Sequence, residues 1–131
     1  MPTRAETLLE RIEQKARRGH RGDPIGTVAL YGPDDQRASK LVVGISPNAD
    51  TGITDTRKWL SDGDVREDVV ILEEALAFLG EHRARTVVMT AGVWGCPHEE
   101  GIDYPEGTAC ELCPFWKGRD RDVPFIGKPS G

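Results

Sequence analysis

Apolar residues Ala5, Leu8, Leu9, Ile12 and Ala16 recur at the three-and-four spacing of one helical face, with polar residues filling the positions between them. Thr3 followed by Glu6 supplies a capping box and Gly19 a stop, so residues 4–18 are predicted to form an amphipathic helix. The pattern then changes period. Residues 27–31 and 41–45 are short apolar runs rich in β-branched side chains, separated by Gly32-Pro33-Asp34-Asp35-Gln36, where proline and aspartate favour a turn. These two runs predict a β-hairpin. Residues 47–52 have loop chemistry, and Thr54 is placed to cap a short helix carrying Trp59 and Leu60 before Asp62-Gly63 breaks it. The clearest helix follows, with Asp64 and Glu67 as capping groups, a stripe of Val69, Leu72, Leu76 and Leu79 widened by Val70, Ile71, Ala75 and Phe78, and Gly80 as its end. So wide an apolar face predicts packing against a sheet. Residues 86–89 (Thr-Val-Val-Met) read as a continuous buried strand. A strand reached through a long helix is expected to lie parallel to the 41–45 strand in the same sheet.

This order predicts a small α/β (α+β) fold, with a mixed sheet of about three strands (a hairpin plus one crossover strand) packed by two main helices. Residues 1–92 hold all of the periodic elements and form the expected core. From Gly92 onward, glycine, proline, aromatic and charged residues replace any periodic pattern for nearly 40 residues. A stretch that long needs an ordering principle other than a hydrophobic face. Residues 93–131 are therefore expected to form a separate C-terminal extension packed on the core. At 131 residues, with 37% hydrophobic and 30% charged, the chain has room for one core and a composition that folds. No apolar run approaches membrane-spanning length, and the N-terminus is charged by its fourth residue, so neither a membrane span nor a secretory signal is expected.

Charge narrows the partners. The net charge of −5 has the wrong sign for a protein that neutralises phosphates, so nucleic acid is disfavoured as the main partner. The charge is uneven: residues 1–22 carry six basic groups against three acidic, and residues 61–82 one arginine against seven acidic. The basic run Lys15-Ala16-Arg17-Arg18-Gly19-His20-Arg21 suits the negative pole of the first helix, with an anion or partner site as the alternative reading.

All three cysteines, Cys96, Cys110 and Cys113, fall in one 18-residue window together with His98. An odd number of cysteines without a secretory signal argues for a reducing cytoplasm over a disulfide framework. The window has the form C-x-H, eleven residues, C-x-x-C. Two short chelating turns joined by one loop supply four N/S ligands, the set that tetrahedral Zn²⁺ takes in structural sites. Pro97 presets the tight turn that the one-residue spacing demands. Cys96, His98, Cys110 and Cys113 are thus the candidate ligands of a zinc knuckle. Three thiolates and one neutral imidazole on a dication leave the cluster at net −1, amid five further acidic residues between positions 99 and 111, which is no environment for a phosphate.

Other readings stand beside this one. His98 can be an ordinary loop histidine near buried thiols, and Cys110 and Cys113 can be a redox pair, although a redox pair calls for a strand before and a helix after. His98-Glu99-Glu100 followed by Cys110 to Cys113 also resembles, over about sixteen residues, the signature of zinc-dependent nucleobase deaminases. That resemblance implies His98, Cys110 and Cys113 as ligands, water in the fourth position and Glu100 as general acid/base. The chain departs from the pattern in having nine residues between Glu100 and Cys110 and no proline directly before Cys110. Phe115, Trp116 and Phe125 interleave with Lys117, Arg119, Arg121 and Lys128, a spacing that suits either base stacking or the covering of a small metal subdomain. The reading that accounts for most residues is a cytoplasmic zinc-binding module for a protein partner, with structural zinc and no catalysis of its own; a deaminase-like hydrolase is the alternative.

Overall fold

The computed structural model describes residues 2–48, 50–98, 102–103, 106, 113–116 and 125–126. Helix α1 (Arg4–Arg17) is followed by β1 (Ile25–Tyr31), β2 (Lys40–Ser46), β3 (Asp55–Leu60), α2 (Val69–Glu81), β4 (Thr86–Gly95) and a two-residue β5 (Phe125–Ile126), with 3-10 turns at Val65–Glu67 and Pro114–Trp116. Among the described residues the sheet order is β3-β2-β1-β4-β5. The fold is mixed α+β, as expected, but the sheet has four full strands plus the β5 bridge where about three were expected. None of the described helices is long and apolar enough to cross a membrane.

The first helix begins where its sequence says it should. The Thr3 side chain accepts from the Glu6 amide and Glu6 reaches back to the Thr3 amide, so two of the helix's first N–H groups find partners. Its buried face is Ala5, Leu8, Ile12 and Ala16. The hairpin also forms, with β1 and β2 antiparallel from Ile25↔Ser46 to Tyr31↔Lys40. Within its loop, Asp34 Oδ1 accepts the amides of Gln36 and Arg37 at 2.8 and 3.0 Å, a local turn made by the aspartate itself.

Residues 55–60 depart from the expected short helix. They form β3, antiparallel to β2 from Lys40↔Leu60 to Ile45↔Asp55. Only Trp59 of this edge strand is buried, so the apolar alternation that marks a strand is missing from its sequence. Packing decides instead: Trp59 stacks edge-on to Phe78 of α2, with centroids 6.4 Å apart, and its Nε1 donates to Glu74 Oε1 at 3.0 Å. The extra strand also reverses a polarity. With β3 intervening, β4 runs antiparallel to β2 and lies parallel to β1, from Ile25↔Thr86 to Tyr31↔Gly95. The crossover through α2 therefore starts at β3, and the expected parallel relation to residues 41–45 is corrected.

Two caps differ from expectation as well. Asp68 caps α2 by accepting the Ile71 amide, whereas Asp64 caps the preceding 3-10 turn by accepting from Arg66. Gly80 does not end α2. The helix runs to Glu81, and Arg83 takes the left-handed conformation (φ 53°) that turns the chain into β4. Val70 of the expected stripe is 63% exposed, while Ile71, Leu72, Ala75 and Leu79 are buried. These four join the α1 face, Val28, Leu30, Leu41, Val43, Ile45, Val87, Met89 and Val93 in one core between the helices and one side of the sheet. Approach is close enough that a Cβ on Gly26 would strike the Leu79 side chain.

Strand β4 continues six residues beyond the expected apolar run, across Gly92 to Gly95. Its pairing with β1 slips between Val28↔Met89 and Leu30↔Val93, so extra residues bulge out of β4. The fully buried Thr90 compensates for the broken ladder by accepting the Leu30 amide with its hydroxyl at 3.1 Å. The register slips again between Leu30↔Val93 and Tyr31↔Gly95; the skipped Trp94 sits against Tyr31 (centroids 5.9 Å), and the Gly32 amide donates to the Gly95 carbonyl at 2.8 Å. The strand thus delivers Cys96 beside the start of the hairpin loop.

Candidate metal centre

Three of the four candidate ligands come together. The ligand atoms of Cys96, His98 and Cys113 all lie within 4.8 Å of one another. Cys96 Sγ is 3.2 Å and Cys113 Sγ 3.4 Å from His98 Nδ1. Sulfur and nitrogen bound to one tetrahedral metal ion at Zn-like bond lengths sit about 3.6 Å apart, close to both sulfur–nitrogen separations. Both cysteines are buried, 6% and 1% exposed, and His98 is half-buried. The group could hold a metal ion. Cys110 and Glu100 lie outside the described residues, as does the Tyr104-Pro105 segment between the two ligand pairs.

Local structure explains how adjacent residues converge. Cys96 follows directly on β4, and the Pro97 turn folds His98 back so that its amide donates to Cys96 Sγ at 3.3 Å. An N–H donated to sulfur favours the thiolate, the form that ligates. Cys113 enters from a distant part of the chain, just before the Pro114–Trp116 turn. Phe125–Ile126 then pair with Thr90 and Met89, so the C-terminal segment reaches back to the edge of the sheet beside β4.

One residue of this site has no signal in the sequence. Lys40, first residue of β2, is 7% exposed and donates from Nζ to the Pro97 carbonyl at 2.9 Å, between Cys96 and His98. A lysine opening an apolar run looks the same whether it ends in solvent or in a site, and only the fold tells them apart. Lys40, His98 and Cys113 share a cleft of about 520 Å³ with Arg37, Ser39, Ser61, Asp62 and Asp103.

Across the same loop stands a second polar corner. Asp64 takes Arg66 in a two-pronged pair (Oδ1–Nε 2.9 Å, Oδ2–Nη2 2.7 Å) and accepts the Ala38 amide at 3.2 Å. Burial pushes the Asp64 carboxyl up, but hydrogen bonds from Arg66 and Ala38 and the guanidinium charge outweigh it and hold the group below the usual carboxylate range. Arg66 is raised correspondingly, chiefly by its bond to Asp64. It also donates to the Gln36 carbonyl, so the pair clamps the hairpin loop.

The remaining sequence candidates are scattered. His20 is exposed, and His82 caps the end of α2 against Phe78, with centroids 4.5 Å apart. Arg11, Lys15, Arg17 and Arg18 line an open cleft with Gln14 and Leu76, away from the cysteines, and Lys15 and Arg17 occupy the last turn of α1. Phe115 is half-buried; the side chains of Trp116 and Phe125 lie outside the described residues.

Compared with models of protein families, with curated proteins and with solved structures, the chain matches none. What the site can do therefore follows from its own donor set.

Proposed function

We propose that this protein is a small zinc-binding module in which one structural Zn²⁺, held by Cys96, His98, Cys110 and Cys113, ties the C-terminal extension to the end of β4, and that it serves as a binding or adaptor module for a protein partner. The convergence of Cys96, His98 and Cys113 within 4.8 Å carries the reading. Cys96 is the informative member. The deaminase-like ligand set leaves it out, whereas a closed four-ligand site needs it, and a closed site stabilises the fold without activating water. The edge strand β3, with Leu60 73% exposed beside the cleft, supplies backbone and apolar surface that a protein partner can cover.

A second reading is favoured by the cleft itself, which opens on His98 and Cys113. If Cys96 only packs there, with His98, Cys110 and Cys113 as ligands, the fourth position belongs to water and Glu100 becomes the general acid/base. Elemental analysis with metal-edge spectroscopy separates the two. The structural reading expects one zinc with three sulfurs, one nitrogen and no water, and loss of metal on Cys96→Ser. Two sulfurs with a bound water, metal retained in Cys96→Ser, and deamination of a free base that Glu100→Gln abolishes would establish the hydrolase instead.

A further inference from the structure

We infer that the open cleft along the C-terminal half of α1 is the docking site for an acidic segment of a partner protein; this gives the adaptor reading its partner chemistry and rests on that part of it, not on the metal. Arg11, Gln14, Lys15 and Arg18 recur at helical spacing on one face, and with Arg17 and the half-buried Leu76 of α2 they line a cleft of about 760 Å³. Among the described residues no acidic side chain lines it. The same flank of α1 starts with a matched charge, Arg4 against Glu73 of α2 at 3.3 Å. Farther along, the α2 residue at the cleft is Leu76, and the side chains of Arg11, Lys15, Arg17 and Arg18 make no ion pair or hydrogen bond with any described residue. The neighbouring carboxylates of α1 are turned elsewhere: Glu10 accepts from Gln14 Nε2 at 3.5 Å, and Glu13 acts on Arg66.

The negative pole of α1 accounts for part of this charge only. It amounts to roughly half an elementary charge and acts within the last turn, so it leaves most of the four cations unbalanced and does not reach Arg11. Arg11 and Lys15 repel each other at i, i+4, and a carboxylate laid between them turns that repulsion into attraction. The cleft also selects its occupant. From Arg11 to Arg18 it runs for about 10 Å, the length of two helical turns. Leu76 offers apolar contact on its floor, and the chain around it, net −5, repels a long polyanion continuing past its ends. A short acidic peptide segment carrying an apolar side chain matches all three properties, and nucleic acid does not.

The test titrates the full-length protein into a fluorescein-labelled peptide rich in glutamate and leucine and follows anisotropy, with zinc content and melting temperature measured on the same samples. Binding is expected to weaken as salt rises and to be absent for the same peptide with glutamine in place of glutamate. Arg11→Gln, Lys15→Gln and Arg18→Gln combined should weaken binding about tenfold or more, while Lys58→Gln, on the β3 edge, stays within about twofold. Arg11→Gln alone, outside the last turn of α1, should weaken binding about two- to fivefold and melt no lower than the parent. A triple variant within about threefold of the parent overturns the inference, as does a parent that ignores the glutamate peptide or binds the glutamine peptide equally. Tighter binding of a single-stranded oligonucleotide of matched charge assigns the cleft to nucleic acid and overturns it too. Lower melting of Arg11→Gln with unchanged binding marks a merely structural arginine, with the same consequence. If the triple variant fails to fold, Arg11→Gln and Lys15→Gln singly decide between these outcomes. A parent that binds the peptide but takes up no zinc loses the metal centre and keeps this site. A parent that holds zinc and ignores the peptide loses only this site.

Discussion

The helix-covered side of the sheet and the Cys/His end are held by different physics. On the covered side, α1 and α2 close over Val28, Leu30, Val43, Val87 and Met89, and the stabilising term is apolar area taken out of water. At the other end, two thiols and an imidazole contact one another and a buried lysine donates to the Pro97 carbonyl, so polar contacts take the place of apolar area. The Asp64–Arg66 corner lies between these extremes: the chain supplies both charges itself, and the pair closes without help. Two polar clusters of one small fold are thus built differently, one as a pair of opposite charges and one as a group that could hold a metal ion. The difference lies in whether the donor set carries its own counter-charge.

The comparison breaks most visibly in the core. Leu72 is fully buried, and Leu72→Ala should cost about 2–5 kcal/mol in urea unfolding, by the same amount with or without chelator. A cost that vanishes in chelator would mean that core and metal end are one cooperative unit.

Next in size is metal removal. At free zinc a thousandfold above Kd, ligation contributes about 4 kcal/mol. Chelation or Cys113→Ser should therefore strip amide protection from residues 96–98 and 113–116 while Val28, Leu30, Val43, Leu72 and Leu76 keep theirs, as read by hydrogen exchange. The Gly32–Gly95 hydrogen bond and the β5 pairing join the two regions, so some softening should spread along β4. Cooperative unfolding of the whole chain on chelation would erase the distinction between the regions, and no change at all would remove the metal.

Smaller still is the Asp64 corner, where Asp64→Asn should cost about 1–2 kcal/mol at neutral pH through the lost cap and charge-assisted bonds. Because folding lowers the Asp64 pKa, its contribution is complete above the usual carboxylate range and is lost as pH falls through the folded value. Parent and Asp64→Asn stabilities should therefore converge on acidification, in urea unfolding at matched salt. A gap that persists at acid pH would show that shape, and not charge, holds this corner.

The smallest effect belongs to the exposed Arg4–Glu73 pair at 3.3 Å, with side chains 61% and 48% exposed. Arg4→Ala should change stability by no more than about 0.5 kcal/mol and be insensitive to chelator.

Much of this was legible along the chain because it is local. The Thr3–Glu6 capping box, the Leu8/Ile12/Ala16 face, the hairpin and the Leu72/Leu79 stripe depend on residues a few positions apart, and each formed. The spacing of Cys96 and His98 also put both side chains on one tight turn, where they meet at 3.2 Å. Tertiary structure decided the rest. Residues 55–60 carry no strand period and became β3 because Trp59 found Phe78 and Glu74 on α2; that strand then made β4 parallel to β1 instead of β2. Cys113 meets His98 across 15 positions, and Lys40 reaches Pro97 across 57. Periodicity and capping are set by neighbours in sequence, whereas the burial of a lysine or the pairing of an exposed strand is set by whichever distant surface arrives beside it.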